Sequence, residues 1–205
     1  MGNNPILEQL ADMRIVTLGE IEPKSVANTK REIMEQTLRS PDPILLLIDS
    51  PGGHVDAGWS LIDFMMMLEV SIVGLVNGMC ASMAVKVLQA CTHRWMTRHS
   101  HLFLHALKSS LRYSFDDDLN NVVKDDNRIS EVLFNNGLDF LCKRAKKSRE
   151  EIEKRMKLGD KFGGMLFPDE ALEWGLIDKI VDPGEFKLIR HVAAPRPRLV
   201  PLKLE

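Results

Sequence analysis

Gly78-Met79-Cys80-Ala81-Ser82-Met83-Ala84 decides how this chain is read. It follows the apolar run Ile72-Val73-Gly74-Leu75-Val76 and leads into a helical pattern from Met83 to Ala90. A serine at a strand-to-helix turn built from small residues exposes its hydroxyl. The N–H groups that follow it have no intrahelical acceptor, and the helix dipole favours negative charge there. This is the setting of an activated serine beside an oxyanion site. The same stretch also reads as a plain N-cap serine under a glycine turn, and the choice between the two rests on the rest of the chain.

Outward from this stretch, the pattern is strand, helix, strand. Upstream, Ile44 to Ile48 is continuously apolar, as in a strand buried on both faces. Asp49-Ser50-Pro51-Gly52-Gly53 is expected to break it sharply, and a helix follows over roughly Ala57 to Leu68, whose methionines read as core filler. Before these lie a strand from Met13 to Leu18 and a helix entered at Pro23 and running to Arg39. Downstream, Thr92 to Arg98 reads as a connection and His101 to Leu104 or His105 as a strand. Such alternation implies a parallel sheet with right-handed crossovers, whose active groups gather beyond the carboxyl ends of its strands. Both glycine-bearing turns, Pro51-Gly52-Gly53 and Gly78 to Ser82, fall at that edge.

From Phe115 the character changes. Asp116 to about Arg144 is long, charged and helical, with Gly137 as a candidate kink, and a helix of that length is expected to project and pack on a partner. Ser148-Arg149-Glu150-Glu151 is a capping box opening a helix to about Met156. Gly163-Gly164 reads as a turn, Pro168 opens a last helix closed by Gly175, and Ile177 to Val181 is a final strand. The expected organisation is one domain over 1–192, with the projecting segment near 115–145, and an extended proline-bearing tail over 193–205.

Composition excludes several classes. The chain of 205 residues is 44% hydrophobic and 27% charged, with a formal net charge of -2. It has no basic stripe with interleaved aromatics, so nucleic acid is not an expected partner. No apolar run reaches membrane-spanning length, and no signal peptide is visible. Cys80, Cys91 and Cys142 lack metal spacing and leave one cysteine unpaired, which points to a reducing, cytoplasmic setting. No cofactor or metal is expected; Asp116-Asp117-Asp118 reads as a helix start without a histidine alongside.

Four motifs stand in order: Ile48-Asp49-Ser50-Pro51-Gly52-Gly53, Gly78 to Ala84, Leu102-Phe103-Leu104-His105, and Asp169-Glu170-Ala171-Leu172-Glu173-Trp174-Gly175-Leu176-Ile177-Asp178. Together they resemble the proteolytic subunit of the caseinolytic (Clp) protease, from about Met13 to Val181. The resemblance implies an α/β fold of the crotonase/ClpP-like ββα type, with parallel sheets and a projecting handle helix. It also implies a Ser-His-Asp serine endopeptidase, an ATP-independent core inside a homo-oligomeric chamber of stacked heptameric rings. Polypeptides would be its substrates, and an AAA+ unfoldase would feed it. Ser82 would be the nucleophile and His105 the general base; Met83 and the Gly52-Gly53 turn would supply oxyanion donors. Imidazole titrates near neutrality and suits the base role.

The third group is less direct. The family's aspartate offset, counted back from Glu170, lands on Gly163, whereas counting forward from Ser148 lands on Gly159, beside Asp160. Asp160 is the candidate, with an inserted segment around Gly163-Gly164-Met165. The family usually has a small or apolar residue at the position of Lys86, which lies one helical turn after Ser82. Lys86 is expected to snorkel to solvent or pair at a subunit contact, with a Ser-Lys dyad as the alternative. Cys80 is expected to be buried and inert. A surface role is expected of His54, His93, His99, His101 and His191. Two other functions remain open: a non-catalytic ring subunit of the same family, and a crotonase-type acyl-CoA enzyme, against which the Ser82 and His105 pairing argues.

Overall fold

The computed structural model describes residues 14–105, 119–158 and 164–182. Its backbone is a mainly parallel sheet with helices packed against it. The elements are β1 (Ile15–Leu18), α1 (Pro23–Arg39), β2 (Ile44–Ser50), α2 (Val55–Met66), β3 (Ile72–Ala81), α3 (Met83–Ala90), β4 (His93–Thr97) and β5 (His101–Phe103). The chain continues with α4 (Leu119–Cys142), α5 (Arg149–Lys157), β6 (Met165–Leu166), α6 (Pro168–Glu173) and β7 (Lys179–Val181). The sheet order is β1-β2-β3-β4-β7; β5 leaves this path by pairing with the distal half of β3, and β6 pairs antiparallel with β5.

Period-two alternation explains why Ile44 to Ile48 of β2 and Ile72 to Val76 of β3 carry no polar side chain on either face. Val16, Leu18, Leu46, Ile48, Val76 and Met96 join the main core beneath the helices, while Ile15, Leu45, Val73, Leu75 and Val181 form a smaller buried cluster. The helix α2 covers the main core through Leu61, Ile62 and Met65. Met66 and Met67, expected as filler, are instead exposed.

The structure corrects several other boundaries. β2 does not end at Ile48; it runs through Asp49 and Ser50 with a register shift, because both side chains find partners. Asp49 accepts the Met79 N–H at 2.9 Å, and buried Ser50 accepts the Gly52 N–H at 3.1 Å. β3 likewise continues past Val76 to Ala81, with Gly78 at φ 122 because a Cβ there would meet the Asp49 carboxylate at 2.6 Å. The segment expected as a connection contains β4. Its inward polar residue, Arg94, is buried and satisfied by Asp178, by Gln89 Oε1 at 2.6 Å and by the Gly175 carbonyl at 2.7 Å.

α4 is continuous through Gly137, the position expected to kink it. Around Gly137, α4 packs on the body through Leu138 and Leu141, whereas Val123, Ile129 and Val132 toward its start are exposed. The capping box of Ser148 and Glu151 is present, and Gly175 closes α6 at φ 70. Asp116 to Asp118, the Gly159 to Gly163 stretch with Asp160, His191 and the 193–205 tail lie outside the described residues.

Candidate active site

β3 ends at Ala81, and Ser82 takes the whole turn into α3 in one residue, at φ 55 and ψ -121. Among the described residues only Arg14 is another non-glycine at positive φ. Arg14 has an evident local compensation, since its guanidinium donates to the carbonyls of Gln36, Ser40, Asp42 and Pro43. Ser82 has no capping hydrogen bond from its side chain, which sets aside the plain N-cap reading. A backbone in this region costs on the order of 1–3 kcal/mol and persists only where the surroundings hold it. The surroundings here are specific: the Ser82 N–H donates to the Phe103 carbonyl at 2.8 Å, and buried Met83 and Ala84 anchor the helix start.

The Gly52-Gly53 turn closes over this serine. A Cβ on Gly52 would lie 2.7 Å from the Ala81 carbonyl oxygen, 2.7 Å from Ser82 Cβ and 3.0 Å from Met83 N, so only glycine permits the approach. Two bonds to Ile21 hold the turn: its N–H donates to the Gly52 carbonyl, and its carbonyl accepts the His54 N–H, both at 2.7 Å. Since the Gly52 N–H is taken by Ser50 Oγ, the remaining donor of the pair is the Gly53 N–H. Sequence reasoning missed Ile21 and Ser50 as parts of the site. Nothing in the sequence marks Ile21, and Ser50 could have been singled out only by the small-residue run that contains it.

The second strand brings the imidazole. Ala81 is in register with Phe103 in the parallel β3–β5 pair, so Ser82 is one residue past the last pair and His105 two past it. His105 is half-buried, with its ring 5.7 Å from that of Phe103. Its neighbour Leu104 donates to the Gly164 carbonyl at 2.8 Å, and β6 continues antiparallel along β5. Gly164 is thereby held at the His105 end of β5. Asp160 lies four residues before Gly164, a reach of at most about 14 Å.

Other candidates separate from this cluster. Cys80 is fully buried in the main core, and burial pushes its thiol well up, which suits packing and not nucleophilic attack. His54, His93 and His99 are exposed. Lys86 departs from expectation. Its stem does not run out to solvent but lies against Gly137 of α4, and burial lowers its ammonium to about 8. Among the described residues, no group of three or more His, Cys, Asp or Glu is placed to hold a metal ion, and no helix is long and apolar enough to cross a membrane.

A strained serine at a strand-to-helix turn, a glycine turn pressed against it and a histidine on the adjoining strand define a serine-hydrolase class of site on an α/β sheet. Comparison with known proteins narrows the class: the Clp protease family model matches residues 2–184. The chain is similar to the ATP-dependent Clp protease proteolytic subunit 1 of Chlamydia abortus, at 30% identity over 86% of this chain and 90% of that protein. It is 31% identical to subunit 1 of Protochlamydia amoebophila, over 86% of this chain and 84% of the relative. Against subunit 2 of Bifidobacterium longum it is 27% identical over 87% and 84%. The chain belongs to the Clp protease family, and it is a peptidase with the α/β fold that its sequence motifs imply. The acyl-CoA and purely structural readings are not favoured.

Proposed function

We propose that this chain hydrolyses peptide bonds through Ser82, His105 and Asp160. The observation that carries the reading is Ser82, held at positive φ with the Gly52-Gly53 turn against it and the end of the His105 strand beside it. Ser82 Oγ attacks the scissile carbonyl carbon while His105 takes its proton. The carbonyl oxygen, now negative, is received by the N–H groups of Gly53 and Met83, the first at the glycine turn and the second at the start of α3. Gly52 serves by its lack of a Cβ. Collapse of the tetrahedral intermediate breaks the C–N bond, and His105 delivers its proton to the leaving amine. Water, deprotonated by the same imidazole, then attacks the acyl-enzyme and releases Ser82. Asp160 orients the imidazole and stabilises its charged form, a role supported by the bond that holds Gly164, four residues further on, to Leu104 beside His105.

The assembly we infer is a homo-oligomer of stacked rings, seven subunits to a ring, with α4 as the contact between rings. Exposed Val123, Ile129 and Val132 on a helix whose Leu138 and Leu141, toward its far end, are buried support this reading. A chamber admits extended polypeptides and not folded ones, so an ATP-driven AAA+ unfoldase is the natural partner, consistent with the ATP-dependent naming of the relatives. Cys80, Cys91 and Cys142 are unpaired, which fits the cytoplasm. Cleavage of a short fluorogenic peptide tests the chemistry. The wild-type protein is expected to cleave it without ATP, with Ser82→Ala and His105→Ala both inactive. Wild-type rates in either variant would defeat the assignment.

A further inference from the structure

Lys86, one helical turn after the nucleophile, is left unused by this mechanism. It is the fourth residue after Ser82, on the same face of α3. Helical side chains lean toward the helix N-terminus, so the Lys86 stem covers the turn that begins at Ser82. Its far end is wedged beneath α4. A Cβ on Gly137 would overlap Lys86 Cε and would sit 3.4 Å from both Cδ and Nζ. Thus α4 has no side chain at the point where the lysine passes. Gly137 is itself buried, between Asn136 and the fully buried Leu138, so the absent side chain makes room for the lysine and not for solvent.

An ammonium in such a place ordinarily has a carboxylate partner, because desolvating a charge without one is costly. Among the described residues Lys86 has none. Desolvation by burial lowers it, and at about 8 it remains mostly protonated at neutral pH. Yet the side chain is not sealed, since Lys86 retains partial exposure. The result is a deeply set cation, open on one side and with no anion paired to it among the described residues. Neighbouring side chains one helical turn apart have Cβ atoms about 5–6 Å from each other, and the lysine leans back across that gap. The stem thus runs along the face of α3 that Ser82 opens, with its ammonium end beside Gly137.

We propose that Lys86 is a specificity determinant that pairs with an acidic side chain, aspartate or glutamate, on the residue whose carbonyl Ser82 attacks. The assignment rests on the peptidase reading above. The substrate carboxylate supplies the anion that the described residues do not, and Gly137 keeps the path between α3 and α4 open for the lysine. A neutral amide of the same shape gains less, because it cannot form a charge-assisted pair in this desolvated setting.

The test uses the assembled wild-type protein and fluorogenic peptides that differ only in the residue before the scissile bond: Glu, Asp, Gln, Leu or Lys. The expected kcat/KM for Glu or Asp exceeds that for Gln by at least tenfold, and Lys is the poorest. In Lys86→Met the Glu-to-Gln ratio is expected to fall to about one, and in Lys86→Glu the preference is expected to turn toward Lys. The wild-type ratio decides the matter even if a variant does not fold. Equal or better cleavage after Gln in wild type, or an unchanged ratio in folded Lys86→Met, overturns the assignment and leaves the peptidase intact. Failure to cleave any peptide, together with no reaction of Ser82 with a fluorophosphonate, overturns the peptidase reading and this one with it.

Discussion

Replacing Gly52 with alanine perturbs the site through geometry alone, since it adds one methyl group and no charge. Two costs can be worked out. The residue sits at φ 92, where a Cβ is strained, and the new methyl would lie 2.7 Å from the Ala81 oxygen and from Ser82 Cβ, against ordinary contact from 3.4 Å. Neither obstacle is the far end of a flexible side chain, so the turn or the serine must give way by a good part of an ångström. Strain of this kind costs about 1–3 kcal/mol, and in a chain of this size each kcal/mol lowers Tm by roughly 2–4 °C. Misplacing the nucleophile and the Gly53 donor by such a distance should cost about a hundredfold in kcat, on the order of 3 kcal/mol in the barrier. Peptide cleavage and thermal unfolding of the same preparation give both numbers. A variant that loses stability but keeps wild-type kcat would refute the claim that this turn positions the nucleophile. One that keeps both would refute the described packing itself.

Asp160→Asn should lower kcat at least a hundredfold with the fold intact, because an amide leaves the imidazole without its anionic partner; normal kinetics would remove Asp160 from the triad. Burial pushes the Asp178 carboxyl up, but hydrogen bonds and charge from Arg94 overcome this and hold it below its ordinary 3.8. The pair therefore stabilises the fold fully at neutral pH, and that stability is lost as pH falls below about 4 toward the depressed folded value. Urea unfolding of Asp178→Asn should show a loss of about 3 kcal/mol at pH 7 that shrinks in acid, and curves parallel to wild type would contradict it. Val132→Asp, on the exposed stretch of α4, should separate stacked rings into single ones in sedimentation while leaving each subunit folded.

The parallel sheet was legible because Ile44 to Ile48 of β2 and Ile72 to Val76 of β3 carry no polar side chain, and because Pro23, Ser148 and Gly175 mark helix ends by local chemistry. The strand extensions were not legible. Asp49, Ser50 and Gly78 look like breakers in one dimension, and only the pairing of Asp49 with Met79 and Gly78 shows why they belong to strands. β4 was hidden by Arg94, whose burial depends on a carboxylate 84 residues away. In the site, Ser82 could be read from its turn, whereas His105 needed the family's order of motifs to single it out from five other histidines. The clamp of Ile21 on the glycine turn and the bed of Lys86 under Gly137 are contacts between distant segments, and no local pattern encodes them.

The central claim is that Ser82 is the nucleophile, and covalent capture tests it most directly. The intact protein is treated with a fluorophosphonate, digested, and the modified residue located by mass spectrometry, with Ser82→Ala treated in parallel. The account expects one modification per subunit, on Ser82, with loss of peptide cleavage in proportion to labelling and no labelling of the variant. Label on another residue, or full cleavage by a protein whose Ser82 is quantitatively modified, would contradict it.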